Sequence, residues 1–257
     1  KGVLGKNAGA FERFPVLIKF IDAKDPLSIQ VHPSDEYALR VEHEYGKTEM
    51  WYVMDCDPGA FLYFGVNRPV TKEEFRQRIE NNTVLEVLNK VEVHPGDVFF
   101  IKSGTIHAIG AGILICEIQQ NSNCTYRVYD YDRRGADGKP RELHVEKALA
   151  VSNFQPSDTS SHAGQPEAVS GGTVQKLGTC KYFETEKLQV ESSMVLNVGE
   201  DSFVSLIVTQ GSGTAAGEEN TLSFRAGDSL FLPAGAGKVT LTGPCTLVKT
   251  VVPQSGE

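Results

Sequence analysis

The segment Pro95-Gly-Asp-Val-Phe-Phe-Ile-Lys-Ser-Gly-Thr-Ile-His107 recurs later in the chain as Ala226-Gly-Asp-Ser-Leu-Phe-Leu-Pro-Ala-Gly-Ala-Gly-Lys238. One module written twice implies two similar domains in tandem. Each copy sets a short apolar run between a Gly-Asp turn and a Gly-rich turn, the pattern of strand and tight turn. Only the first copy ends on a histidine. Chemistry that needs a metal-capable side chain is therefore expected in the first module alone.

The 257 residues are enough for one large or two ordinary domains. With 40% hydrophobic and 23% charged residues, the chain is an ordinary soluble globular sequence able to bury a core. The net charge of -8 argues against nucleic acid or an anionic membrane as the main partner. No apolar run approaches the roughly 18 residues needed to span a bilayer. The chain opens on Lys1-Gly-Val-Leu-Gly, without an initiating Met or the apolar core of a signal peptide. It reads as starting partway into a longer protein. The five cysteines (Cys56, Cys116, Cys124, Cys180 and Cys245) form no CxxC pair and read as reduced, structural thiols of a cytoplasmic protein.

Short β-type runs punctuated by Gly, Pro and Asp dominate the first part: 14–22, 28–32, 50–55, 61–66, 90–93, 97–102 and 113–119. Two helical interruptions are expected. Thr71 can cap a helix carrying Glu73 and Glu74 in its first turn, with Phe75, Ile79, Leu85 and Leu88 on later turns. Asn81-Asn82 should break that stretch, 71–90, in two. A second helix is expected over 141–151. Residues 152–172 are rich in Ser, Gly and Pro and read as a linker between an N-terminal domain, 1–151, and a C-terminal domain, 173–257. The fold class expected is all-β, two tandem jelly-roll (double-stranded β-helix) barrels with a small helical segment.

Side chains alternate faces along a strand, so Gln30 and His32 point one way while Ile29 and Val31 point the other. The same rule puts Lys47 and Glu49 on one face. Gln30, His32, Glu49 and His107 thus offer an amide, a carboxylate and two imidazoles that can converge inside one barrel. Such a mixed nitrogen and oxygen set suits Zn²⁺, with Fe²⁺, Mn²⁺ or Co²⁺ open to the same donors. His43, His94, His144 and His162 are expected not to be ligands.

The spacing of Gly96, Gly104 and His107 resembles the second cupin signature, with Lys102 in place of its proline. Gln30-x-His32 followed by Glu49 resembles the first. In the second copy Gly227, Pro233 and Gly235 match, and Lys238 stands where the histidine would be. The runs Gln30-Val-His-Pro33, Gly46-Lys-Thr-Glu-Met-Trp-Tyr52, Ser103-Gly-Thr-Ile-His-Ala108, Glu117-Ile-Gln-Gln-Asn-Ser122 and Thr125-Tyr-Arg-Val-Tyr-Asp130 resemble the type I mannose-6-phosphate isomerases in their short bacterial form. That resemblance implies a zinc enzyme interconverting mannose 6-phosphate and fructose 6-phosphate. It implies one Zn²⁺ per chain on Gln30, His32, Glu49 and His107, and an essential Arg127, with Lys47 and Glu117 in the pocket. One departure is Asn123, where many members carry Asp.

Moving a carbonyl between C1 and C2 of a sugar removes a carbon-bound proton and builds up an enediolate. Glu117 is the residue expected to shuttle the proton, because Ile113, Ile115, Glu117 and Gln119 alternate on one face of a strand. Its other reading is a buried ion-pair partner for Arg127. The substrate expected is a small sugar phosphate, with no nucleic-acid or membrane partner, acting on a monomer or homodimer. The rival readings are a metal-dependent cupin oxygenase and a non-catalytic sugar-binding cupin.

Overall fold

The computed structural model describes residues 2–160 and 163–254. The chain divides into two compact units, Leu17–Ser161 on one side and Lys1–Val16 with His162–Glu257 on the other. Among the described residues no helix is long and apolar enough to cross a membrane.

The first unit is built on strands β1 (Val16–Ala23), β2 (Ile29–Val31), β3 (Glu49–Cys56), β4 (Phe61–Val66), β5 (Leu88–Glu92), β6 (Val98–Ile101), β7 (His107–Ile109), β8 (Ile113–Gln120) and β9 (Tyr126–Tyr129). They form a four-stranded sheet, β1-β8-β3-β6, and a five-stranded sheet, β5-β4-β7-β2-β9. Alternation decides which way most residues point, and irregularities in β3 and β4 reset it locally. Trp51, Val53, Leu62, Phe64, Phe99, Ile101, Ile113 and Ile115 pack together in the space between the two sheets. Each such buried side chain contributes about 1.5–3 kcal/mol of transfer free energy.

Ile29, Val31, Ile106, Ala108, Tyr126 and Val128 pack instead with Phe75, Ile79, Val84, Val87, Ala148 and Leu149, on the outer face of the five-stranded sheet. The residues between them, Gln30, His107 and Arg127, are left for the barrel interior. That apolar outer face is what orients the site.

Three α-helices occur among the described residues. Helix α1 (Asp35–Val41) starts at Ser34, whose side chain accepts from Tyr37 N, and carries Asp35 and Glu36 in its first turn. The strand-and-turn reading passes over it. Helix α2 (Lys72–Glu80) is capped by Thr71, whose hydroxyl accepts from Glu74 N at 3.1 Å. It stops at Asn81 and left-handed Asn82 (φ 57), and a 3-10 turn, Val84–Val87, follows. Helix α3 (Val145–Val151) begins later than the expected 141, because Arg141 is drawn to Asp130 instead (Nε to Oδ2, 2.7 Å).

The second unit carries β10 (Glu167–Val169), β11 (Gly172–Thr179), β12 (Glu184–Val190), β13 (Ser193–Val198), β14 (Val204–Ala216), β15 (Thr221–Arg225), β16 (Ser229–Leu232), β17 (Gly237–Thr242) and β18 (Cys245–Val251). Its core is mainly apolar, including Leu188, Leu206, Val208, Phe224, Leu241 and Leu247, and the buried hydroxyls of Thr185 and Thr250 pair with each other.

Two boundaries differ from the sequence reading. Residues before Leu17 join the second unit, not the first: Lys6 N and Asn7 N donate to Glu200 O and Asp201 O at 3.1 and 2.8 Å. Gly5 (φ 85) makes that approach possible, since a Cβ there would lie 2.5 Å from Asp201 O. The expected linker is also shorter at both ends. Asn153 N donates to Gly104 O and Val70 N to Phe154 O, which ties its start to the first unit. Its far end holds β10, which pairs with β11.

Lys238, which aligns with His107 in the repeat, does not share its burial. It is exposed on β17, while Val239 and Leu241 are buried in the core of the second unit. Gly237, with φ 72, sits immediately before it.

Candidate metal centre

Strand pairing brings the polar interior residues to one end of the first barrel. Gln30 pairs with His107 on one side and with Arg127 on the other. Glu49 opens β3 opposite Gln119 of β8 and Ile101 of β6. His32 lies just beyond β2, ahead of Pro33. His32, Glu49 and His107 are essentially inaccessible to solvent, and each contributes one ligand-type atom, all within 4.8 Å of one another.

Both imidazoles are oriented by backbone. His32 Nδ1 lies 3.0 Å from Cys124 O and His107 Nδ1 lies 2.8 Å from Thr105 O. A carbonyl can only accept, so each Nδ1 carries the hydrogen and each Nε2 presents a lone pair. Those lone pairs face Glu49: His107 Nε2 is 3.3 Å from Oε1, and His32 Nε2 is 3.6 Å from Oε2. Both carboxylate oxygens of Glu49 are buried; among the described residues Oε1 has no hydrogen-bond partner and Oε2 meets only the Lys47 ammonium. The Gln30 amide nitrogen is 3.5 Å from His107 Nε2.

Lys47 supplies the nearest positive charge. Its Nζ stands 2.6 Å from Glu49 Oε2, 3.2 Å from His32 Nε2 and 3.8 Å from Glu117 Oε1. Burial pushes the Glu49 carboxyl up, but the Lys47 ammonium beside it outweighs that and holds it well below the usual carboxylate range. Burial depresses the Lys47 ammonium, and Glu49 with Glu117 more than reverses that. His32 is pushed down to about 4, first by burial and then by Lys47, so it is a neutral donor at physiological pH.

Glu117 sits across from Trp51 in the β3–β8 register, and its Oε2 accepts from Trp51 Nε1 at 3.0 Å. Its Oε1 accepts from Lys19 Nζ at 3.1 Å, and the same ammonium reaches Gln119 Oε1 at 2.5 Å. Glu117 therefore does not pair with Arg127, contrary to one of its two sequence readings. The reason is topological: Glu117 belongs to the four-stranded sheet and Arg127 to the edge of the five-stranded one.

Arg127 donates from Nη1 to Glu142 O at 2.8 Å, and its buried Nε has no partner among the described residues. Burial and then the nearby Arg141 lower its pKa from the ordinary value, with Asp130 opposing. Asp130 itself is held by Arg141 and by Arg133 (each at 2.5 Å), so two guanidiniums pair with one buried carboxylate. Strand β9 ends at Tyr129, and Tyr131 just beyond it is left-handed (φ 55).

His43 and His94 are exposed, and His144 accepts from Arg127 N at 3.1 Å through Nδ1. His162 lies outside the described residues. Cys116 faces away from the site, and burial pushes its thiol up to about 12.

The family model for the cupin domain of mannose-6-phosphate isomerase matches residues 173–252. Mannose-6-phosphate isomerase ManA of Bacillus subtilis is 43% identical over 233 residues, which are 90% of this chain and 73% of ManA. The chain belongs to the mannose-6-phosphate isomerase family. The crystal structure of the Bacillus subtilis mannose 6-phosphate isomerase agrees with it at a TM-score of 0.87 and 37% identity, over 93% of this chain and 76% of that one. A zinc-bound holo mannose 6-phosphate isomerase shares the cupin fold at a TM-score of 0.75, over 97% of this chain and 82% of that one, with 18% identity.

Within this isomerase fold, two residues at the pocket were not singled out by sequence. Lys19 is the lone cation in the apolar run Leu17–Ile21, a visible signal. Trp51 was read only as part of a strand, and nothing in the sequence announces its hydrogen bond to Glu117.

Proposed function

We propose that this chain is a zinc-dependent aldose–ketose isomerase that interconverts mannose 6-phosphate and fructose 6-phosphate through an enediol intermediate. The observation that carries the metal is Glu49. Lys47 meets only its Oε2; Oε1 is buried without a hydrogen bond and faces the His107 Nε2 lone pair, an arrangement that is costly unless a further cation comes between them. His32, Glu49 and His107 would hold that ion, and a half-turn of the Gln30 amide would add its oxygen as the fourth donor. Two nitrogens and two oxygens suit zinc, at one ion per chain. When bound, the ion supplies Lewis acidity toward a carbonyl oxygen.

The rest of the chemistry falls to side chains. Glu117, fixed by Trp51 and Lys19 at the rim of the cluster, takes the proton from one carbon and returns it to the neighbour. Lys47 donates from its buried ammonium to the oxygen on which negative charge develops. Arg127 lies two strands from His107, about 10 Å at the usual 4.7–4.9 Å per strand. That span suits the far end of a six-carbon sugar, so its unpartnered Nε, backed by Arg133 and Arg141, is assigned to the phosphate.

A coupled assay for conversion of mannose 6-phosphate to fructose 6-phosphate, run beside elemental analysis, tests the reading. Turnover proportional to bound zinc is the expected result. Turnover unaffected by complete metal removal would sink it.

A further inference from the structure

Gln120 is buried, and both ends of its side chain are used in ways that the isomerisation itself does not require. Its Oε1 accepts from Thr48 N at 2.8 Å, and its own backbone N donates to Thr48 O at 3.0 Å. Thr48 is the residue between Lys47 and Glu49. The amide's other end, Nε2, donates to Asp35 Oδ1 at 2.9 Å. Asp35 opens the helix that follows His32, and the same Oδ1 accepts from Gly46 N at 2.9 Å.

Gln120 thus joins the chain segment leaving His32 to the segment entering Glu49. The join is tight. Lys47 N donates to Pro33 O at 3.0 Å, and a Cβ on Gly46 would lie 2.4 Å from Asp35 N, so only glycine permits the approach. One of the two imidazoles and the carboxylate of the cluster stand on these two segments.

We infer that Gln120, through Asp35, is a positioning residue that sets the metal affinity of the cluster by holding the His32 and Glu49 arms at ligating separation. This rests on the metal reading above. The amide is needed for its polarity as well as its size. Thr48 N requires an acceptor, and the Asp35 carboxylate requires a donor. Glutamine provides one of each, whereas a glutamate of the same shape keeps the acceptor, loses the donor and sets a second negative charge against Asp35.

The test measures Zn²⁺ affinity by competition with a chromogenic chelator, together with the melting temperature of each metal-free protein. Wild type, His107→Ala, Gln120→Glu, Asp35→Asn and the Gln120→Glu/Asp35→Asn pair are compared. Gln120→Glu should weaken Zn²⁺ binding by about 10–100-fold, the range for loss of an outer-shell partner. Asp35→Asn alone should stay near wild type, because its amide oxygen still accepts from Gln120 and Gly46.

The double variant should recover most of the loss. Its neutral asparagine no longer opposes the new carboxylate with a second negative charge, and that carboxylate still accepts from Thr48 N. A purely structural role would shift the metal-free melting temperatures without this loss-and-recovery pattern in affinity. Unchanged affinity in Gln120→Glu, or a double variant as weak as the single one, overturns the inference while leaving the metal reading intact. A wild type that takes up no Zn²⁺, or takes it up equally after His107→Ala, overturns the metal reading and the inference with it.

Discussion

The two barrels of this chain use one strand-and-turn module to opposite ends. In the first, left-handed Gly104 (φ 86) is followed by Thr105, Ile106 and His107, and the histidine enters the barrel beside Glu49. In the second, left-handed Gly235 (φ 79) is followed by a further left-handed glycine, Gly237 (φ 72). That extra turn of the backbone shifts the alternation by one, so Lys238 is exposed and Val239 fills the interior. Residues that align in a repeat need not point the same way. The second barrel buries no charged side chain among the described residues and pairs its buried Thr185 and Thr250 with each other, whereas the first gives up one end of its core to charged and amide side chains.

The sharpest test of this contrast removes the first barrel's histidine. His107→Ala should abolish stoichiometric metal by elemental analysis and lower kcat by about 10³-fold or more, since metal-borne and charge-stabilising contributions go together. Retention of full metal content would take His107 out of the site and erase the difference between the barrels.

Arg127→Ala comes next. It should leave metal content and melting temperature near wild type while kcat/KM falls by about 10²-fold or more. Arg127→Lys should recover little, because an ammonium lacks the planar fork. A variant that loses stability but keeps metal-normalised turnover would make Arg127 a structural residue.

The two equivalent glycines give a smaller, paired comparison. A Cβ on Gly104 would lie 2.8 Å from the Val151 carbonyl oxygen, which is backbone and cannot step aside. On Gly235 the obstacle, at 2.7 Å, is the end of the Glu200 side chain. Gly104→Ala should therefore cost about 2–3 kcal/mol and Gly235→Ala about 1 kcal/mol, both including left-handed strain. Chemical denaturation that ranks them the other way would contradict this account of the turns.

Lys238→His should change least. An imidazole there is placed on the outer face with no converging donors, so metal content should stay at the wild-type value. An additional equivalent of metal in this variant would mean the second barrel still holds a usable site.

Much of the first barrel was legible because its chemistry is written in period two. Ile29 and Val31 against Gln30, and Ile113 and Ile115 with Glu117, separate core from site by parity alone. Helix α2 was legible through Thr71, Glu73 and Glu74, and its end through Asn81-Asn82. Helix α1 carried the same cap signal at Ser34-Asp35-Glu36, but it is too short for a period of 3.6 to show. The membership of residues 1–16 was not legible, since their partners Glu200, Asp201 and Val252 lie at the far end of the chain.

The sequence by itself determined the all-β architecture, the donor types at 30, 32, 49 and 107, and the family resemblance, because side-chain alternation and turn chemistry are local. Only the tertiary structure decided how charges pair: Lys47 with Glu49, Lys19 with Glu117, and Arg133 and Arg141 with Asp130. It also decided that Arg127 keeps a free donor and that Lys238 turns outward. Ion pairing depends on which strands of different sheets meet, and side-chain direction past a turn depends on one left-handed residue. Neither is a property of local sequence.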